Sequence, residues 1–265
     1  MRIPVFHVDA FADRPLTGNP AAVCLLDSWL DDSWLRKVAA ENNLPATAFL
    51  VPRDDGEHEL RWFTTRCEIK LCGHATQASG FVVLKLLKPG LDVARFHTKH
   101  GGVLEVRPTV DGLQMDFPAL PPKTCSNAPD QLSQALGIDT RPAEIVEANQ
   151  TWIAVLEDGK AVAAAGPNLE LLEKFHPYAV AITAPGRSED FVSRYFAPSY
   201  GVPEDHVTGS LHCALTPYWS SRLGKARLKA RQLSSRGGAL ICELAGDRVR
   251  LGGNAILTMQ GTLQV

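Results

Sequence analysis

The sequence predicts an α+β protein built as two similar halves, each a set of strands closed around one buried helix. Three observations carry that prediction. Short runs rich in β-branched and aromatic residues recur along the whole chain. Two segments, about Ala75 to Leu87 and about Leu211 to Leu223, are apolar nearly all round, so each has to be enclosed rather than laid on a surface. A Pro-rich stretch, Pro118-Ala119-Leu120-Pro121-Pro122-Lys123, separates the strand sets and sets a boundary near 118. The expected domains are 1–118 and 119–265, with the last strand free to return to the first.

In the first half, strands are expected at Ile3 to Phe11, Ala22 to Leu26, Ala48 to Val51, Leu60 to Thr64, Val93 to His97, Val103 to Arg107 and Leu113 to Phe117. An outer helix runs from about Asp31 or Asp32 to Asn42, with Leu30, Trp34, Leu35 and Val38 on one stripe. The apolar helix from Ala75, with Ala78, Phe81, Val82, Val83, Leu84, Leu86 and Leu87, belongs inside the sheet.

Beyond the boundary the order repeats loosely. A short helix spans about Pro129 to Leu136, and strands follow at Ala143 to Val146, Trp152 to Leu156 and Ala179 to Thr183. After the second apolar helix come strands at Arg227 to Leu233, Ala239 to Leu244, Val249 to Leu251 and Ala255 to Leu263. Pro217 should kink or shorten that helix, because its ring removes a donor and crowds the preceding turn.

Composition excludes several classes. The chain has 265 residues, 45% of them apolar, and a formal charge of −2 from 27 basic and 29 acidic side chains. That balance supplies no cationic surplus for nucleic-acid backbones. The longest apolar runs, such as Phe81 to Leu84 and Ala161 to Ala165, fall far short of the ~20 residues of a membrane helix. The N-terminus, Met1 to Asp9, reads as an alternating strand rather than a signal peptide, so a cytoplasmic protein is expected, without nucleic acid or membrane as partner. Six scattered cysteines read as reduced thiols.

A local pattern recurs in the two halves. Trp62-Phe63-Thr64 leads to Leu71-Cys72-Gly73-His74 and an apolar helix; Tyr195-Phe196-Ala197-Pro198 leads to Val207-Thr208-Gly209-Ser210 and another. This weak duplication predicts two Gly-initiated helix starts facing one another across a cleft. Gly73 and Gly209 let a ligand approach the backbone, and free N–H groups with the helix dipoles favour an anion. Around them stand Cys72, His74, Asp205, Thr208 and Ser210. Each also has a bland reading: His74 as a loop or cap residue, Ser210 as an ordinary cap, Asp205 with Glu204 as solvated turn acids.

Other chemistries find no pattern. Cys67, Cys72, His206, His212 and Cys213 lack the paired spacing of a structural zinc site. Gly237-Gly238 and Gly252-Gly253 lie in strand turns, and no Gly-x-Gly-x-x-Gly or Walker loop occurs. Neither metal nor cofactor is expected. The basic run Arg222 to Arg231 alternates with Ala and Leu, as a strand with one solvated face does.

Several segments together resemble the PhzF-like family of phenazine-biosynthesis isomerases, the mammalian PBLD-type members most. They are His7-Val8-Asp9-Ala10-Phe11, Gly18-Asn19-Pro20-Ala21-Ala22-Val23, Arg61-Trp62-Phe63-Thr64, Leu71-Cys72-Gly73-His74-Ala75-Thr76, Tyr195-Phe196-Ala197-Pro198, Gly201-Val202-Pro203-Glu204-Asp205, Val207-Thr208-Gly209-Ser210 and Gly261-Thr262-Leu263. The resemblance spans nearly the whole chain in the family's order. It implies the diaminopimelate-epimerase-like fold, two pseudo-symmetric β-barrels each around a central helix, and a homodimer.

The family chemistry so implied is cofactor-independent proton transfer, as when a Glu moves a proton between ring carbons of trans-2,3-dihydro-3-hydroxyanthranilate. By motif the assisting groups are His74, Asp205 and Ser210, the Gly73 and Gly209 amides hold the carboxylate, and Asn19 contacts substrate. The chain departs from the pattern at one place. Where the family reads Asn-Leu-Ser-Glu, this chain reads Asn43-Leu44-Pro45-Ala46, so Ala46 takes the place of the catalytic Glu. Glu41, five residues earlier, could reach the same point only with a shifted backbone.

Cys72 offers another base. In racemases that resemble this fold two cysteines face the substrate's α-carbon from helix starts. Cys72 matches the first and Thr208 occupies the second, a pairing like that of trans-3-hydroxyproline dehydratases. The reading expected here is an isomerase or epimerase-like enzyme acting on a small carboxylate. The alternatives are a catalytically silent carboxylate-binding or interaction protein, and a Cys-based dehydratase or epimerase of an amino acid.

Overall fold

A computed structural model describes all residues, Met1–Val265. The elements in chain order are β1 (Arg2–Ala10), β2 (Asn19–Leu25), α1 (Asp32–Asn42), β3 (Ala46–Pro52), β4 (His58–Phe63), β5 (Glu68–Ile69), α2 (Gly73–Phe81), β6 (Ala94–Thr98), β7 (Gly102–Thr109) and β8 (Gly112–Pro118). They continue with β9 (Lys123–Thr124), α3 (Leu132–Leu136), β10 (Glu144–Ala148), β11 (Thr151–Val155), α4 (Gly159–Ala164), α5 (Leu169–Glu173), β12 (Ala179–Pro185), β13 (Phe191–Ala197) and β14 (Val202–Asp205). The last are α6 (Gly209–Leu223), β15 (Arg227–Gln232), β16 (Gly238–Ala245), β17 (Arg248–Gly253) and β18 (Ala255–Gln264). Two compact units result: Met1–Asp116 with Gly252–Val265, and Phe117–Leu251.

In the first unit β18 and β2 flank β1 antiparallel, β2 and β3 run parallel, β3 and β4 antiparallel, β4 and β6 parallel, and β6, β7 and β8 antiparallel. Parallel neighbours need a crossover, and α1 supplies the one between β2 and β3. The sheet curls round α2, since β1, β2, β3, β7 and β18, drawn from both ends of the strand order, all touch that helix. β2 and β3 are therefore buried on both faces and read as unbroken apolar runs. The outer face of β1 to β4 makes a second core with α1: Ile3, Val5, Ala22, Cys24, Phe49, Val51 and Phe63 against Leu35, Val38 and Ala39.

α1 lies outside, as its one-sided stripe demands, although Trp34 is left exposed and carries Lys37 over its ring. α2 is not purely apolar. Thr76, Gln77 and Ser79 are buried in it, their polar groups hydrogen-bonded to backbone carbonyls or, for Gln77, also to the Phe11 N–H. The helix then widens into a π-helical turn over Val82–Leu87, whose end leaves Leu86 and Leu87 exposed.

The second unit repeats the arrangement. β9 and β11 flank β10 antiparallel, β11 and β12 run parallel across α4 and α5, β12 and β13 antiparallel, β13 and β15 parallel, and β15 and β16 antiparallel. α3, α4 and α5 cover the outer face in the position of α1, burying Leu132, Leu136, Val162 and Leu172 against Trp152, Val180, Ile182 and Phe196. α6 is enclosed: Trp219 reaches Thr183 on β12, Phe191 on β13 meets His212 and Trp219, and Tyr218 bonds Glu144 on β10.

Pro217 does not shorten α6, which continues to Leu223. The carbonyl four residues earlier, Cys213 C=O, accepts instead from the Leu120 N–H at 3.0 Å, so the Pro-rich segment satisfies the acceptor that the proline orphans. None of the six cysteines is in a disulfide. No helix is long and apolar enough to cross a membrane.

Candidate active site

In both units a strand turns back through a two- to four-residue strand into the central helix. β4 pairs with β5 before α2, and β13 pairs with β14 before α6. Cys72 and Thr208 are the N-cap residues, both extended at φ −146° and −109°, and neither side chain caps its helix. The first-turn N–H groups, those of Gly73 and Gly209 among them, thus lack the usual acceptor from an N-cap side chain.

At the start of α2, the Cys72 thiol lies 3.5 Å from His74 Nδ1 and 3.8 Å from Nε2. Cys72 is nearly buried and His74 half-buried. Thr76, one turn on, donates its hydroxyl to the Cys72 carbonyl at 2.7 Å and fixes the cap from inside. A thiol at a helix start beside an imidazole is the setting in which thiolates form. Cys24 and Cys242 are different: burial pushes each thiol up to about 12, as expected of inert core residues.

Asn19 opens β2, fully buried and paired with Ala10. The preceding turn depends on Gly18, whose φ is +72° and where a Cβ would stand 2.2 Å from the Ala10 carbonyl oxygen. Asp9 accepts from the Leu16 N–H at 3.1 Å, and Gln77 accepts from the N–H of Phe11, itself at φ 56°. Ala46 is the first residue of β3, fully buried beside Ala21. Glu41 is exposed on α1.

At the start of α6, the Thr208 hydroxyl donates to Asp205 Oδ2 at 2.6 Å. Gln232, fully buried on β15, accepts from the Thr208 N–H at 2.8 Å and donates to the Asp205 carbonyl at 2.7 Å. Ser234 donates to the His206 carbonyl at 2.9 Å. Tyr195, the register partner of Asp205, is pushed up to about 12, first by its burial. Ser210 is exposed and Gly209 half-buried. The sequence motifs gave no sign of Gln232, yet the alternation Leu228, Ala230, Gln232 places an amide at an inward position, and that signal could have exposed it.

One group offers metal-ligating atoms within 4.8 Å of one another: Asp55, Glu57 and His97. Its carboxylates already pair with Arg53 and Arg95, at 3.1 and 3.5 Å, so it reads as an ion-pair network on the sheet face.

Residues 8–261 match the family described as phenazine biosynthesis-like protein. The chain is 49% identical over 265 residues to an uncharacterized isomerase of Pseudomonas aeruginosa, with 100% of both covered. It is 39% identical over 288 residues to the phenazine biosynthesis-like domain-containing protein of Bos taurus, with 99% of each covered. The crystal structure of a PhzF-family phenazine biosynthesis protein from Enterococcus faecalis matches with a TM-score of 0.94 at 38% identity, over 100% of both chains. A hydroxyproline epimerase from Agrobacterium vitis, 9% identical, matches in fold with a TM-score of 0.63 over 99% of this chain and 92% of that one. The motifs, the duplicated wrapped-helix units and these likenesses agree: the chain belongs to the phenazine biosynthesis-like (PhzC-PhzF) family, with an α+β fold shared by PhzF proteins and epimerases.

Proposed function

We propose that the protein catalyses cofactor-independent proton transfer at a carbon of a small carboxylate, with Cys72 and His74 as the proton-handling pair. The observation that carries this reading is the 3.5 Å contact between the Cys72 thiol and His74 Nδ1 at an N-terminus without a side-chain cap. The imidazole takes the thiol proton; the thiolate then removes a proton from the substrate carbon. As the S–H bond forms, the C–H electron pair moves into the system conjugated with the carboxylate. Return of a proton to another carbon, or to the other face, completes an isomerisation with no net change in atoms or electrons.

Asp205 serves as a second proton-handling or orienting group, Asn19, Thr208 and Ser210 as substrate contacts, and the Gly73 and Gly209 amides as carboxylate donors. Relatives named as isomerases support the reaction class. Incubation in D₂O with amino acids, hydroxyprolines and cyclic hydroxy acids, followed by mass spectrometry, tests it. Deuterium should enter one compound and fall at least ~100-fold in rate with Cys72→Ala, the usual scale for loss of an acid–base group. Exchange that survives both Cys72→Ala and Asp205→Asn sinks the assignment.

A second reading is a carboxylate-binding protein without turnover, and Ala46 favours it, because a methyl group cannot accept the proton that the family Glu carries. On this reading a carboxylate raises the melting temperature while no deuterium enters it, and Ala46→Glu restores exchange on a family substrate.

A further inference from the structure

We infer that Gln232 and Ser234 form a clamp that positions Asp205 and directs the Thr208 hydroxyl proton onto its carboxylate. This rests on the reading of Asp205 as a proton-handling or orienting group; Gln232 is then a positioning residue for the reaction.

The orientation of the Gln232 amide is decided by its neighbours. The Thr208 N–H can only donate, so the amide oxygen faces it at 2.8 Å; the Asp205 carbonyl can only accept, so the NH₂ group faces that at 2.7 Å. The same NH₂ reaches Thr208 Oγ1 at 3.2 Å. With a donor already pointing at its lone pair, the Thr208 hydroxyl sends its own hydrogen to Asp205 Oδ2, 2.6 Å away. The polarity therefore runs one way, from amide to hydroxyl to carboxylate, and its last link is a short, charge-assisted bond.

Ser234 holds the middle of the same loop. It donates to the His206 carbonyl at 2.9 Å and accepts from the Gly237 N–H at 3.0 Å, which ties the loop to the β15–β16 turn. Gln232 at the end of β15 and Ser234 in the bend that follows thus both bond backbone groups of the Asp205–Thr208 segment.

The duplication supplies a control. Trp62 corresponds to Tyr195, and in the same alignment Leu60 corresponds to Ser193; the parallel partners of those two residues are Thr98 and Gln232. Thr98 bonds only within its own turn, to the Gly102 carbonyl and the Gly101 N–H. The clamp is thus a feature of the half that carries Asp205, and not a requirement of the fold.

Ionisable groups around the loop include Tyr195 and Arg194 on β13, Glu204 paired with Arg194, His206, and Arg236 near it. None is altered by the test, which follows the side-chain carboxyl ¹³C signal of Asp205 against pH, assigned by its loss in Asp205→Asn. Gln232→Met and Thr208→Val should each raise the Asp205 midpoint by about one pH unit or more, a tenfold change in proton affinity, and Thr208→Ser should restore it. Should Gln232→Met not fold, Gln232→Asn keeps the amide, shortens its reach and gives the same readout. Variants that lose stability but titrate Asp205 as the wild type does overturn the clamp. If the midpoint moves while the pH profile of deuterium exchange stays put, the clamp stands and the role given to Asp205 fails.

Discussion

His212 shows how a polar residue is accommodated inside an apolar helix and what it costs. It is wholly buried, its Nδ1–H donates to the Thr208 carbonyl one turn back at 2.8 Å, and its Nε2 has no partner. Thr76 makes the equivalent bond to Cys72 in the other unit, so each cap carbonyl is tied from inside by the residue four positions on. Burial holds the imidazole down to about 4 against an ordinary 6.5, because a proton on Nε2 would be a charge with no acceptor. The unfolded chain takes up that proton below about pH 6.5 and the folded chain does not, so stability is full above that pH and falls as pH drops towards 4. The loss assigned to this one group is about 3 kcal/mol. Urea denaturation between pH 7 and 4 should show a shallower decline for His212→Gln than for the wild type. Since burial also lowers His7, His58 and His206, the difference between the two proteins isolates His212; parallel slopes would mean that it titrates normally.

At the scale of elements, the fit of α2 into its sheet turns on a missing side chain. A Cβ on Gly80 would stand 2.4 Å from Val106 Cγ1 on β7, well inside contact distance. Helix propensity alone favours Gly80→Ala by about 1 kcal/mol, but overpacking a closed core costs roughly 1–3 kcal/mol, so the variant should be less stable in urea. Val106→Ala should recover part of the loss when combined with it; additive effects in that cycle would show that the contact is not the cause. Such constraints explain what the sequence disclosed. β2, β3 and α1 were legible because unbroken apolar runs and a one-sided stripe leave few alternatives. β13 was recognised only as a motif, since Ser193, Arg194 and Tyr195 interrupt its apolar pattern. α4 and α5 have six and five residues, too few for a periodicity, and are started by the side chains of Asp158 and Asn168. Cys72, Asp205 and the two glycines were readable from local motifs, whereas Gln232 acts on Thr208 across 24 positions, a contact that exists only once β13 and β15 have paired.

At the scale of the whole chain, the first unit, Met1–Asp116, is completed by residues distant in sequence, Gly252–Val265. β18 lies along the entire length of β1, from Arg2 opposite Gln264 to Ala10 opposite Ala255, and the Val265 N–H donates to the Met1 carbonyl at 2.9 Å. The ends of the chain are therefore adjacent in one unit, and the order in which its strands are connected is separable from the order in which they pair. A permuted chain should fold if Met1 and Val265 are joined by a short Gly-Ser linker and new ends are opened between Val110 and Asp111, in the hairpin turn joining β7 and β8. Val110 is fully exposed, and the ladder from Val106 opposite Met115 to Thr109 opposite Gly112 does not depend on the turn being closed once both strands are held by the rest of the unit. The permuted protein should melt within about 8 °C of the parent, the shift that a loss of ~1–2 kcal/mol produces in a chain of this size. Removal of residues after Leu251 should act in the opposite way. It strips β1 of one of its two neighbours, leaving it paired with β2 alone, and takes away the Gly253 carbonyl that Gln77 binds at 3.1 Å inside α2, so that a buried donor keeps one weaker partner and β1 becomes a long unpaired edge. That truncated chain should be recovered as aggregate. A soluble, cooperatively melting product would show that the first unit closes without its final strand.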